Sequence, residues 1–462
     1  MNCHPPTSRT LTILLGCTVG IALTGAWAKG EPATTDLSSL LGKVREQFHA
    51  PGVAAAVTRD GQLVAIGVSG VRGLDLHEAV AKTDRSMIGS CGKSATRLLI
   101  GRLVEKDKFR WDSTLAELLP DVKMREEYGS VTIGDIIGHR GGIPAYTRIS
   151  PKHTPILFEQ NGSPREQRAA FVAHLLSEPP VVPPRTQFAY SNAGYGLLGH
   201  IAERVADKSY EQLMRDEVFR PLGMSSAIVG LPGDAQSIPG WIGHERTPQG
   251  FDQVKRSRTG LPAIAPAGMM SLSIEDFAKL GAALVNMEAG TPTDFLGRTA
   301  IEKLPELRPG SKGSEGEIFL GGDGQYTAAF ALWPSRGLSI VVESNAGDSD
   351  DLCEAIVEAV RGELAPEIPA RKSQAGGPQK QKRYGFQIKI EDDDDNWLVG
   401  LVEADSPAAA AGLKQGDRIV SINGTPLAKL SADERSNGLK KSLLKLQVER
   451  DGKPIDINMR LP

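Results

Sequence analysis

Met87-Ile88-Gly89-Ser90-Cys91-Gly92-Lys93-Ser94-Ala95-Thr96 is the stretch on which the reading of this chain turns. Ser90 falls where a helix is expected to begin, and Lys93 follows three residues later, one turn along the same face. A serine hydroxyl is a weak nucleophile until a base takes its proton, and a lysine helps when burial disfavours its charged form. The helix N-terminus adds backbone N–H groups and positive dipole where negative charge would develop. Taken alone, S-x-x-K carries little weight. It recurs at Ser442 and Lys445, where it reads as an ordinary helix surface.

The spacing gains meaning from what lies around it. A hundred residues on comes Phe188-Ala189-Tyr190-Ser191-Asn192-Ala193-Gly194-Tyr195, a Y-x-N motif at the start of a helical pattern. Between the two lies Val131-Thr132-Ile133-Gly134-Asp135-Ile136-Ile137-Gly138-His139-Arg140-Gly141-Gly142-Ile143-Pro144. Beyond them stand Val218-Phe219-Arg220-Pro221-Leu222-Gly223-Met224 and Pro266-Ala267-Gly268-Met269-Met270-Ser271. In this order the segments resemble the penicillin-recognising serine hydrolases: β-lactamases, D-alanyl-D-alanine carboxypeptidases and related esterases. The sequence is most similar to the β-lactamase-related branch nearest the class C enzymes, over residues 37–364.

The resemblance implies an α/β (α+β) sandwich, an antiparallel sheet beside an all-helical subdomain, with the site between them. It implies Ser90 as the acylated nucleophile, with Lys93 and Tyr190 sharing proton transfer in an unassigned order. Asn192 would orient the substrate amide or Lys93. The family's third motif, a Lys or His followed by a small residue and Gly, falls on Ile318-Phe319-Leu320-Gly321-Gly322. Phe319 then occupies the basic position, or Leu320 if the register moves by one. The backbone N–H of Gly322 still completes an oxyanion hole with that of Ser90, because a main-chain donor does not need the lost side chain. What is missing is the cation that would meet a substrate carboxylate.

Periodicity organises the rest of this region. Residues 53–58 and 62–69 read as strands around an Arg59-Asp60-Gly61 turn. Helical spacing recurs over 94–105, 195–206, 274–286 and 349–363. A second hairpin spans 325–343 around Pro334–Gly337, so the sheet is expected to join N- and C-terminal segments. Residues 365–383 turn to Pro, Gly, Gln, Lys and Arg with no apolar period, the composition of a flexible linker.

Residues 384–462 form a second unit with strand and turn signals of their own. The run from Ser406-Pro407-Ala408 through Gly412-Leu413, Gly416-Asp417 and Ile422-Asn423-Gly424 is similar to PDZ domains, small β-rich modules. That likeness implies a loop, Tyr384-Gly385-Phe386-Gln387, presenting backbone N–H groups to a peptide C-terminus. It also implies an edge strand opposite a helix near 432–442 for β-augmentation. A module packed on the first domain with an empty groove is the other expectation. The acidic run Glu391-Asp392-Asp393-Asp394-Asp395 reads as a solvated hairpin tip.

Composition bounds the partners. The chain has 53 basic and 56 acidic residues and a net charge of −3, so no overall field draws nucleic acid or anionic lipid. Aromatics at 5 % argue against a base-stacking surface. No His/Cys/Asp/Glu group has metal-ligand spacing, and neither cofactor nor metal is expected. His139 and His200 read as structural, and Cys91 as a small buried residue.

Residues 1–28 carry one basic side chain, Arg9, and no acid, with an apolar run from Leu11 to Ala26 that ends in Ala26-Trp27-Ala28. This is the pattern of a signal peptide, cleaved or kept as an anchor, and places the protein in the periplasm or outside the cell. No other segment is apolar enough to span a membrane. Three functions remain open at this point. One is an exported serine hydrolase acting through an acyl-enzyme on an ester, amide or peptide, with a PDZ module for a peptide or protein C-terminus. The second is a D-alanyl-D-alanine carboxypeptidase or β-lactamase. The third is a binding scaffold whose chemistry has degraded with the third motif.

Overall fold

A computed structural model of the chain describes residues 34–147, 154–158, 161–233, 239–247, 250–254, 261–301, 315–370, 384–390, 397–402, 406–430, 432–439 and 443–460. The expected signal peptide, residues 371–383 of the expected linker and the acidic run lie outside the described residues.

The alternation of side chains along Gly52–Arg59 and Leu338–Ser344 explains the layered core. Strand order in the main sheet is Thr35–Asp36, Gln62–Gly70, Gly52–Arg59, Leu338–Ser344, Thr327–Trp333, Ile318–Gly322. N- and C-terminal strands meet at its centre, where Val341 pairs with Ala56. All pairings are antiparallel except the first, in which Thr35 lies parallel to Ala65. On one face, Val53, Ala55, Val57, Ile340 and Val342 pack against Leu41 and Val44 of Ser38–Gln47 and Leu352, Ile356 and Val360 of Asp350–Leu364. On the other, Ala54, Ala56, Ala328, Phe330 and Val341 join a larger core with Leu98, Leu99, Phe171, Leu197 and Phe277 from the helical side. Period-two alternation thus sends neighbouring residues of one strand into two separate cores.

The polypeptide stays packed beyond the last helix of this unit. Ala365 and Ile368 are buried in the same core as Leu352 and Ile356, and Arg361 donates to the Ile368 carbonyl. The first part of the expected linker therefore belongs to the first unit. Two apolar residues in a Pro-rich stretch have no period to reveal them.

The second unit has its own core, with Tyr384, Phe386, Ile419, Ile422, Leu446 and Val448 at its centre. Its sheet runs Phe386–Ile390, Trp397–Val402, Arg418–Ile422, Leu443–Arg450, Lys453–Arg460. Leu443–Arg450 is a strand, so Lys445 lies on a sheet and not on the expected helix surface. Strict exposed–buried alternation over Leu443–Val448 outweighs the helix propensity of its Leu and Lys residues. The helix expected near 432–442 is Ala432–Leu439.

Candidate active site

Ser90 lies in a short 3-10 turn, Gly89–Cys91, that feeds directly into the helix Gly92–Glu105. Gly89 has φ 49°, and a Cβ there would collide with the backbone nitrogen of Gly322. A Cβ on Gly321 would run into the Ile88 carbonyl and lie 2.8 Å from the backbone nitrogen of Ser90. These two glycines allow the edge strand Ile318–Gly322 to close on the turn. The backbone nitrogens of Ser90 and Gly322, the two expected oxyanion donors, are thereby brought to one seam.

Lys93 is 6 % exposed, and its Nζ has three oxygen neighbours. They are Ser90 Oγ at 3.1 Å, Asn192 Oδ1 at 2.8 Å and the Ala267 carbonyl at 2.6 Å. Burial pushes the amine down to about 7. The inventory then fixes its directions. A neutral amine has two N–H bonds and one lone pair; the Asn192 and Ala267 oxygens only accept, so the lone pair is left for the Ser90 hydroxyl.

Tyr190 OH stands 2.8 Å from Ser90 Oγ on the other side. Burial raises its pKa and the bond to Ser90 opposes that shift, leaving the phenol protonated at neutral pH. Its ring lies 4.9 Å from Lys93 Nζ and stacks on His139 with centroids 4.6 Å apart. His139 accepts from the backbone N–H of Ser191 through Nδ1 at 3.1 Å, and its carbonyl accepts from Ala189 N at 2.7 Å. Burial, with the charges of Lys93 and Arg97, pushes this histidine down to about 4. His139 is a neutral buttress of the Tyr190 loop.

Asn192 opens the helix Asn192–Ala206, which Ser191 caps by accepting from Gly194 N at 2.8 Å. Its Nδ2 donates to the Tyr146 carbonyl at 3.2 Å, so Oδ1 is aimed at Lys93. Of the two roles expected for Asn192, this geometry shows the one towards Lys93.

Phe319 and Gly321 lie on the face of the edge strand that meets the Ser90 turn, and Leu320 packs into the opposite core. Phe319, and not Leu320, is therefore on the strand face towards the Ser90 turn. Its ring stacks on Phe330, centroids 4.8 Å apart and 18° from parallel.

Two features escaped the sequence. The Ala267 carbonyl is a backbone atom, and only the match of Pro266-Ala267-Gly268 to a family segment hinted at it. The turn that carries it, Pro262–Ala267, is held from behind: Arg168 Nη1 donates to the Pro262 carbonyl at 2.7 Å and Thr96 Oγ1 to the Pro266 carbonyl at 2.6 Å. The other is Glu343, fully buried, with neither carboxyl oxygen hydrogen-bonded among the described residues. Cys91 and Cys353 are both buried thiols, and His200 is buried in its helix. Among the described residues, no group of three or more His, Cys, Asp or Glu suits a metal ion.

A β-lactamase family model matches residues 37–360, and a PDZ domain model matches residues 374–449. The chain belongs to the β-lactamase family. This β-lactamase-family chain is 31 % identical over 194 residues to penicillin-binding protein 4 of Amycolatopsis lactamdurans, covering 42 % of this chain and 48 % of that one. It is 24 % identical over 344 residues to an unguisins hydrolase of Aspergillus campestris, covering 68 % and 62 %. The chain therefore spans about half to three-fifths of the length of these two relatives. Among solved structures, the octameric penicillin-binding protein homologue of Pyrococcus abyssi matches with a TM-score of 0.57 at 18 % identity, covering 92 % of this chain and 95 % of that one. A β-lactamase/D-alanine carboxypeptidase of Pseudomonas syringae matches with a TM-score of 0.55 at 17 % identity, covering 71 % and 97 %. Both likenesses establish the fold.

In the PDZ domain, the side chains of Tyr384 and Phe386 belong to the core, so this loop offers its backbone. Gly385 has φ 72°, and its carbonyl accepts from Ser406 Oγ at 3.3 Å. Phe386–Ile390 pairs only with Trp397–Val402 among the described strands, and its register shifts around Gln387. Its other side has no strand partner among the described residues.

Proposed function

We propose that the chain is an exported serine hydrolase that forms an acyl-enzyme on Ser90 from a small ester, amide or peptide. One observation carries the reading: Ser90 Oγ stands between a buried amine, whose charged form burial disfavours, and a phenol. As Oγ attacks the acyl carbon, its proton passes to the Lys93 lone pair. The carbonyl oxygen takes up negative charge and accepts from the N–H groups of Ser90 and Gly322. Tyr190 protonates the departing alcohol or amine and regains a proton from the Lys93 ammonium, so no net proton is lost. Water then reverses the sequence and releases the acid.

The side of Phe386–Ile390 without a strand partner among the described residues supports peptide capture at the PDZ domain, with the N–H groups of Gly385, Phe386 and Gln387 at the carboxylate. The apolar run before Ala26-Trp27-Ala28 supports export to the cell envelope.

A fluorophosphonate probe and a labelled penicillin, each read by intact mass, test the reading. Ser90 labelled by the fluorophosphonate alone, and unlabelled in Ser90→Ala, is the expected result. Labelling by both would make the protein a penicillin-interactive enzyme. Labelling by neither would leave a binding scaffold on a hydrolase fold.

A further inference from the structure

Two exposed aromatic side chains, Tyr190 and Phe319, stand beside the Ser90 turn. Among the described residues, the exposed large apolar side chains include only three rings, Phe188, Tyr190 and Phe319, at 62 %, 37 % and 40 %. Tyr190 holds Ser90, and Phe188 meets the His139 ring edge-on at 5.4 Å, one ring behind Tyr190. Phe319 belongs to the opposite wall. It lies two residues from Gly321, whose Cα faces the Ser90 backbone nitrogen, which along a strand is about 7 Å. Phe330 beneath holds its ring in place.

Among the described residues, the basic side chains that contact Ser90 and Tyr190 are already committed. The Lys93 amine bonded to Ser90 is spent on the Ala267 carbonyl and Asn192. His139 is neutral and turned to the backbone of Ser191. A carboxylate laid against Phe319 would lose its hydration and meet an aromatic ring in exchange. An apolar acyl group there would instead cover ring surface that the fold leaves in water. Each methylene it buries is worth roughly fourfold in affinity.

We propose that the acyl donor of this site is uncharged and carries an apolar or aromatic acyl group held between Phe319 and Tyr190. This specificity rests on the reading of Ser90 as an acylated nucleophile. It sets the chain apart from enzymes whose acyl donor is anchored by a carboxylate, and Phe319 is its specificity-determining residue.

The test uses p-nitrophenyl esters of acetate, phenylacetate and (4-carboxyphenyl)acetate with the full-length protein. Wild type is expected to favour phenylacetyl over acetyl by about tenfold or more in kcat/KM, and over its carboxylated twin by a similar factor. Phe319→Ala is expected to cut the phenylacetyl-to-acetyl ratio about tenfold. Phe319→Lys is expected to move preference towards the carboxylated ester. Equal or better turnover of the carboxylated ester by wild type would overturn the proposal, whatever the variants do. An unchanged acyl ratio in Phe319→Ala would overturn it too. Fluorophosphonate labelling of Ser90 separates the two failures. Labelling without acyl preference removes the specificity and leaves the hydrolase, and absence of both labelling and turnover removes both.

Discussion

At Ser90 the two partners are distinguished by burial more than by distance. Lys93 and Tyr190 stand at 3.1 and 2.8 Å from Oγ, too similar to decide which removes the proton. Desolvation acts on both and favours the neutral form of each: an amine that accepts and a phenol that donates. Acylation of a neutral ester such as p-nitrophenyl acetate should therefore require the deprotonated amine. Expected is a kcat/KM that rises about tenfold per pH unit below about 7 and levels above it, so that pH 5 lies roughly a hundredfold under the plateau. Lys93→Arg keeps the charge and cannot deprotonate; its rate should fall by about 10²–10⁴-fold and the inflection should vanish. The measurement is the pH–rate profile of both proteins from 5 to 9, in buffers of constant ionic strength. The same inflection surviving in Lys93→Arg would assign it to another group. The pairing of Ser90 with Lys93 and Tyr190 was legible through the resemblance of the S-x-x-K and Y-x-N segments to a known family, because side-chain identities carry it. The Ala267 carbonyl was not, since a backbone acceptor has no residue identity.

The strand Leu338–Ser344 shows what an element can hide. Its pattern marks a central strand: Leu338, Ile340 and Val342 enter one core and Val341 the other. Glu343 interrupts the second series as a fully buried carboxyl among apolar neighbours. Burial raises its pKa well above the usual carboxylate range, and the nearby charge of Asp276 adds to the effect. The sign follows from proton counts. With the folded pKa raised, the native state keeps a proton that the unfolded chain releases, so stability is full below about 4.5 and is lost as pH rises towards the folded pKa. Glu343→Gln removes this dependence. Urea midpoints for the catalytic unit should show the variant gaining on wild type from pH 4.5 upward, by up to about 1.4 kcal/mol per pH unit. A constant difference across pH 4–8 would mean that Glu343 is already ionised in the fold. Period-two alternation located this strand from sequence. It could not separate a solvent-facing glutamate at a strand end from one closed over by the helix Ile274–Glu288.

Across the whole molecule, three hydrophobic cores divide the work: two flank the main sheet and the third belongs to the PDZ domain. The division into two functional units was legible because the PDZ run and the hydrolase motifs are each local in sequence. The boundary was not, because its evidence is tertiary. Ala365 and Ile368 add burial to the face formed by Leu352, Ile356 and Val360, and they follow the last periodic residue of the helix. A chain ending after Ala370 keeps both side chains and the bond from Arg361 to the Ile368 carbonyl; one ending after Leu364 loses all three. Burying a side chain the size of isoleucine contributes about 1.5–3 kcal/mol, and Ala365 adds less. The shorter chain is therefore expected to unfold about 2–4 kcal/mol more easily than the longer one, read from urea midpoints at constant slope. Both should keep turnover of a small ester under native conditions, because Lys93 and Tyr190, the side chains hydrogen-bonded to Ser90 among the described residues, lie before residue 365. Equal stability of the two would place the end of the catalytic unit at Leu364. Loss of ester turnover in the chain ending after Ala370, still folded by circular dichroism, would show that the PDZ domain takes part in the chemistry itself.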